Sequence, residues 1–228
     1  MGERLPYHLP MIARGRPSIP NGIVTGGVVA IGRHVDPSRA VALGEALVAG
    51  GVRAFELTLN EPEADALEAI EAVAARGPEL GLDIGAGTVL SIDAARRAVS
   101  AGASFLVMPH LEVELVAWAA ERGIPVLPGC ATPTEVLAAW RAGAAAVKLF
   151  PASVAGPVFV RELRGPFPEI PLLPTGGVTL ESAPAFIAAG AIGVGMGGWL
   201  LGDGDASRVR ERSRQVVATV AAARSRAA

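Results

Sequence analysis

RAFELTLNEP, residues 53–62, reads as a strand that passes directly into a helix. Side chains alternate across a strand. Phe55, Leu57 and Leu59 are large and apolar, so they face a covering layer. Ala54, Glu56 and Thr58 then face the opposite way. The helix opens at Glu61-Pro62, where a proline is tolerated because the first turn needs no N–H donor.

The same unit recurs along the chain. Strand-type runs stand at 27–33, 82–87, 105–109, 125–129, 145–151, 171–177 and 191–198, besides 53–59. Helical patterns are expected at 37–49, from Glu61-Pro62, after Ser91, through Trp118, after a Thr132 cap, and near 157–164, 180–189 and 205–225. The runs are apolar on both faces, as parallel strands covered by helices must be. Eight such units predict one (β/α)8 barrel over residues 23–228, with residues 1–22 as a short N-terminal extension. A doubly wound open sheet is the alternative, but it lacks its early G-x-G-x-x-G turn. No linker divides the chain.

Composition narrows the function classes. The 228 residues carry a net charge of −2 and no basic block, which argues against nucleic acid as a partner. Cys130 is the single cysteine, read as a small core residue, and its isolation points to the cytoplasm. His8, His34 and His110 lack metal-ligand spacing, so no metal and no cofactor is expected. The uncharged stretch 183–202 is about as long as a membrane span. Its six glycines and one proline fit better a helix ending at Gly190, a short strand and a glycine loop, so no membrane association is expected.

In barrels of this kind the working residues lie at the C-terminal ends of strands. Polar residues and glycines collect there: Arg33, Glu56, Thr58, Asn60, Gly85, Gly87, Thr88, Gly129, Lys148, Thr175, Gly176, Gly177, Gly197 and Gly198, and Pro109 ends the fourth strand as a further substrate-binding candidate. Lys148 is the only lysine; every other residue in the Lys+Arg total of 20 is arginine. In AAVKLFP (145–151), Val147 and Leu149 face the helices while Ala146 and Lys148 point inward. Glu56 on the second strand and Lys148 on the sixth would therefore face each other. A buried lysine loses its proton readily and can attack a carbonyl; arginine cannot. Glu56 could shuttle the protons. The competing reading is a structural ion pair between the two.

The glycine turns PTGGV and GMGG offer backbone N–H groups to an anion such as phosphate, or simply serve tight turns. Thr88 is either a carboxylate donor or a helix cap. Arg33 is either an anion partner or a solvated side chain. Three functions stay open on these residues: a Schiff-base enzyme, another phosphosugar enzyme on the same scaffold, and a non-catalytic binding barrel.

The motifs FELTLNEPEA, IGAGTVL, VLPGCATPTEV, AVKLFPAS, LPTGGV and GMGGWL, in this order, resemble the 2-keto-3-deoxy-6-phosphogluconate / 4-hydroxy-2-oxoglutarate aldolase family over residues 23–205. The resemblance implies a metal-free class I aldolase on a (β/α)8 barrel, commonly a homotrimer. It would cleave 2-keto-3-deoxy-6-phospho sugar acids to pyruvate and an aldehyde such as glyceraldehyde 3-phosphate. By motif, Lys148 matches the Schiff-base lysine and Glu56 the acid/base. Thr88 matches the pyruvate-carboxylate contact, and Gly176, Gly177, Gly197 and Gly198 the phosphate cradle. Asn60 and PGCAT resemble the phosphogalactonate branch, in which Arg33 would hold the carboxylate. Thr175 resembles the phosphogluconate type. Gly198 replaces a serine found in many members, which leaves N–H donors alone for the phosphate. A 4-hydroxy-2-oxoglutarate or non-phosphorylated substrate is the alternative.

Overall fold

Every expected strand forms, and each runs parallel to its neighbours. The structure is a computed structural model that describes residues 15–60 and 62–227. Within them the chain runs α1 (Asn21–Gly26), β1 (Val28–Gly32), α2 (Pro37–Ala49), β2 (Ala54–Thr58), α3 (Glu63–Ala74), α4 (Gly77–Leu80), β3 (Asp83–Gly87), α5 (Ile92–Ser100), β4 (Phe105–Val107), α6 (Val113–Glu121), β5 (Val126–Leu127), β6 (Gly129–Cys130), α7 (Pro133–Ala142), β7 (Val147–Leu149), α8 (Ala152–Arg164), β8 (Leu172–Pro174), α9 (Ala183–Ala188), β9 (Val194–Met196), α10 (Gly198–Leu201) and α11 (Ala206–Ala227). This is an α/β fold.

The strands form a parallel sheet of order β5-β4-β3-β2-β1-β9 and a second of order β6-β7-β8. The expected fifth strand is split between them at Pro128, which has no N–H for a ladder. Its carbonyl still accepts from the Lys148 N–H at 3.0 Å. At the other junction Thr175 and Gly195 form an isolated parallel bridge, and the Ile192 N–H donates to the Leu172 carbonyl at 3.0 Å.

Alternation divides the core as the strand pattern predicts. Phe55, Leu57, Val147 and Leu149 pack with apolar residues of the covering helices. Val29, Ile31, Ala54, Phe105, Val107, Leu127, Ala146 and Leu173 form a separate cluster on the inner side. Ile23 of α1 joins that inner cluster at 0% exposure. It is held there at the N-terminal ends of the strands: the Gly22 N–H donates to Asp83 Oδ2 at 2.7 Å, and Asp83 opens β3. Arg16 ties the preceding segment to α7, donating to the Ala144 carbonyl at 2.6 Å with its guanidinium 3.2 Å from the Trp140 ring centre.

Local chemistry sets the helix ends. Thr132 and Glu135 form a reciprocal capping box at the start of α7, with Pro133 just inside. Asp36 caps α2 through the Ser38 N–H, and Ser91 caps α5 through the Ala94 N–H. Thr88 is therefore not the cap of that helix. Three expectations are corrected. The expected glycine loop after β9 becomes the short helix α10, with Gly197 at its N-cap. The helix near 157–164 begins at Ala152, with a break at Gly156 (φ 69°, ψ 170°) before Pro157. The helix near 180–189 covers only Ala183–Ala188. Stretch 183–202 thus divides into α9, β9 and α10, and among the described residues no helix is long and apolar enough to cross a membrane.

Candidate active site

Lys148 extends inward from β7 and Glu56 from β2, at 5% and 2% exposure. Burial acts on each in the direction of its neutral form. It pushes the Glu56 carboxyl above the usual carboxylate range, against the opposing fields of Lys148 and Arg33. It pulls the Lys148 amine below the usual lysine range; Arg33 adds to this and Glu56 opposes it. Both shifts favour moving a proton from the amine to the carboxyl.

The alternative of a closed ion pair is not what forms. Among the described residues the ion pairs are arginine–carboxylate pairs at the surface, and Lys148 and Glu56 take part in none. What lies against the amine is an aromatic ring: the Lys148 Nζ is 4.9 Å from the centre of Phe150. The Glu56 carboxyl needs the bare backbone of Gly87 on the neighbouring strand. A Cβ there would lie 1.8 Å from Glu56 Oε1.

The other predicted residues fall into two groups. Arg33 is exposed just beyond β1, and its field reaches both buried groups. With Thr175, Gly176, Gly177, Gly197 and Gly198 it lines a cavity of about 300 Å³ at the C-terminal ends of β8 and β9. Thr175 is 3% exposed. Its carbonyl accepts from the Ala152 N–H at 2.8 Å, and the Gly176 carbonyl from the Ser153 N–H at 2.9 Å. The loop after β8 is thereby fastened to the start of α8. Gly176 (φ 89°) and Gly177 (φ 77°) adopt left-handed backbone that favours glycine. Side chains at those positions would also strike Phe150 and Ser153.

Asn60 is placed elsewhere. It lines a larger cavity of about 510 Å³ between the loops after β1 and β2, together with Gly32, Asp36, Thr58 and Asp65. Neither Lys148 nor Glu56 lines either of these two cavities. The Thr58 hydroxyl donates to the Gly32 carbonyl at 3.1 Å and also touches Asn60 Oδ1. Pro109 is half-buried after β4, and its carbonyl packs so closely on Gly129 that a Cβ there would lie 2.4 Å away. Thr88 follows β3 with φ 57°, a left-handed conformation that a β-branched residue rarely adopts. Such backbone outliers gather at functional sites.

Among the described residues no group of three or more histidine, cysteine, aspartate or glutamate side chains could hold a metal ion. Burial raises the Cys130 thiol to about 12, so it is not a nucleophile at neutral pH.

The model of the family described as KDPG and KHG aldolase matches residues 19–218. The chain belongs to this aldolase family. A 2-dehydro-3-deoxy-phosphogluconate aldolase of Pseudomonas aeruginosa is 38% identical over 196 residues, covering 83% of this chain and 86% of the relative. A 2-dehydro-3-deoxy-6-phosphogalactonate aldolase of Escherichia coli K12 is 35% identical over 198 residues, covering 86% and 94%. Among solved structures, a KDPG aldolase from Legionella pneumophila with pyruvate captured as a covalent carbinolamine intermediate superposes with a TM-score of 0.71. It is 28% identical and covers 88% of this chain and 96% of that one. Several motifs that resemble the aldolase family sit where strands end: FELTLNEPEA on β2, AVKLFPAS on β7 and α8, LPTGGV on β8 and GMGGWL on β9 and α10.

Sequence reasoning did not single out Phe150 or Ser153, and it placed Gly87 at a strand end without a role. Phe150 had a signal: two residues beyond Lys148, it falls on the same side of the strand. The role of Gly87 had no signal, because the conflict it avoids is with a side chain on another strand.

Proposed function

We propose that this chain is a class I aldolase that cleaves a 2-keto-3-deoxy-6-phospho sugar acid to pyruvate and glyceraldehyde 3-phosphate. The observation that carries the reading is the buried amine of Lys148, at the C-terminal end of β7, biased by burial toward its neutral form. The family and the names of its relatives support the substrate class.

In this mechanism the neutral Lys148 Nζ attacks the C2 ketone to give a carbinolamine. Glu56 is biased toward its protonated form and donates the proton with which water leaves. The resulting carboxylate takes the C4 hydroxyl proton. The C3–C4 bond breaks, its electrons pass to the iminium nitrogen, and the aldehyde departs from an enamine. Glu56 then protonates C3, and hydrolysis frees pyruvate and Lys148. Arg33 and Thr88 hold the carboxylate, with Pro109 bordering the substrate; Asn60, on the other cavity, takes no part. Thr175, Gly176, Gly177, Gly197 and Gly198 surround the far phosphate.

We read the two sheets as one closed eight-stranded barrel, comprising residues 23–228 as a single catalytic domain after an extension of residues 1–22. The Thr175–Gly195 bridge and the continuity of the chain through Pro128 support it. The same reading makes the protein a cytoplasmic homotrimer. The exposed Val154 and Val158 of α8, at 83% and 57%, offer apolar surface to a second copy.

Borohydride reduction in the presence of pyruvate, followed by intact mass and peptide mapping, tests the chemistry. One pyruvyl adduct at Lys148 is expected; a folded protein that yields none would end the aldolase reading. Condensation of pyruvate with glyceraldehyde 3-phosphate, glyceraldehyde or glyoxylate then ranks the acceptors. Preference for an unphosphorylated aldehyde would favour the second reading, which rests on the missing hydroxyl at Gly198.

Gly87→Ala offers a check on Glu56. The added methyl meets the flexible end of a side chain, so the fold should survive while the carboxyl moves. A displacement of this size should cost turnover on the order of 10²-fold. Unchanged kcat in a folded variant would show that the position of Glu56 does not matter.

A further inference from the structure

Phe150 has no part in the scheme above, yet its ring lies over the reacting nitrogen. The Nζ is 4.9 Å from the ring centre, within the roughly 6 Å over which a cation is attracted to an aromatic face. The ring is itself held against the loop after β8: a Cβ on Gly176 would lie 2.8 Å from Phe150 Cε2. Two charged groups reach Lys148, Glu56 from β2 and Arg33 from beyond β1, and they oppose each other.

We propose that Phe150 is a catalytic residue whose ring face stabilises positive charge on the Lys148 nitrogen and so raises the population of the iminium. The inference rests on the aldolase reading. In that sequence the nitrogen lone pair forms the C–N bond, and the ketone oxygen gains a proton. It leaves as water after a second protonation, and the nitrogen changes from neutral carbinolamine to cationic iminium. That charge appears against the ring and is discharged when the C3–C4 electrons reach the nitrogen.

The ring has a second effect of the same origin, because it also stabilises the ammonium form of free Lys148. Removing the ring should move two observables in opposite directions. The amine should lose its proton at lower pH, which favours attack. The iminium, once formed, should be less populated. A ring that served only as packing would not produce this split.

The experiment is pyruvate–borohydride trapping on the full chain across pH, with pyruvate below saturation. For Phe150→Leu the trapped adduct at Lys148 should fall about 2- to 30-fold, and the midpoint for amine deprotonation should move to lower pH. Phenylalanines of increasing fluorination placed at position 150 keep the shape and weaken the negative face of the ring. They should lower the adduct stepwise, and they serve if the leucine variant fails to fold. A yield that does not respond to fluorination would overturn the proposal. So would a folded Phe150→Leu protein with unchanged yield and midpoint. Failure of the unmodified protein to trap any pyruvate would instead overturn the aldolase reading itself.

Discussion

Lys148→Arg is expected to erase both turnover and the reducible pyruvyl adduct. The guanidinium is similar in reach but stays protonated at every accessible pH, so it has no lone pair for a ketone. The chain also contains no other lysine that could substitute. The variant separates chemistry from binding, because a cation remains in the pocket. Aldol cleavage should therefore fall to the uncatalysed background while the protein stays folded by circular dichroism. Appreciable turnover would rule out Lys148 as the nucleophile and revive the non-covalent readings.

Glu56→Gln should retain the architecture and lose kcat by about 10²- to 10⁴-fold, the usual share of a positioned acid–base group. The amide keeps the shape but cannot carry the proton between the leaving hydroxyl, the C4 oxygen and C3. Its pH signature differs from that of a packing defect. The Glu56 charge opposes deprotonation of Lys148. Its removal should let the amine lose its proton at still lower pH, measurable as an earlier rise of the trapping rate. Stability should respond as well. A carboxyl raised by burial contributes stability that is complete below its unfolded pKa and is lost as pH rises through the folded one. Glutamine has no such transition, so the variant should lose less stability over that window. A Glu56→Gln enzyme with normal kcat would remove the residue from the mechanism.

How far the sequence carried these conclusions depended on the range of each interaction. Phe55 and Leu57 alternate with Ala54 and Glu56, and that local pattern predicted which side chains face the helices and which face inward. The Thr132 cap was legible because a capping box spans four residues. The break at Pro128 was visible as a proline in a strand, but whether it bends or divides the strand is decided by the partners on both sides. Gly197 and Gly198 suggested a loop, whereas Trp199, Leu200 and Leu201 complete a turn of helix there. Asn60 follows the strand of Glu56 in sequence yet borders the other cavity, since the chain has already left the inner face. Gly87 matters through a contact across the sheet, which only the folded chain reveals, whereas Phe150 lies beside Lys148 along one stretch of chain.

The position of Ile23 sets the traffic of the reaction. It fills the inner side at the N-terminal ends of the strands, so in the proposed scheme reactants come and go at the opposite, C-terminal ends. In the proposed scheme pyruvate is still tethered to Lys148 when the C3–C4 bond breaks. The aldehyde must go first and pyruvate last, and in the condensation direction pyruvate must enter before any acceptor. The same free enzyme is then contested by pyruvate and by sugar acid, so accumulated pyruvate competes directly with the substrate, whereas accumulated aldehyde meets an enzyme already carrying its enamine.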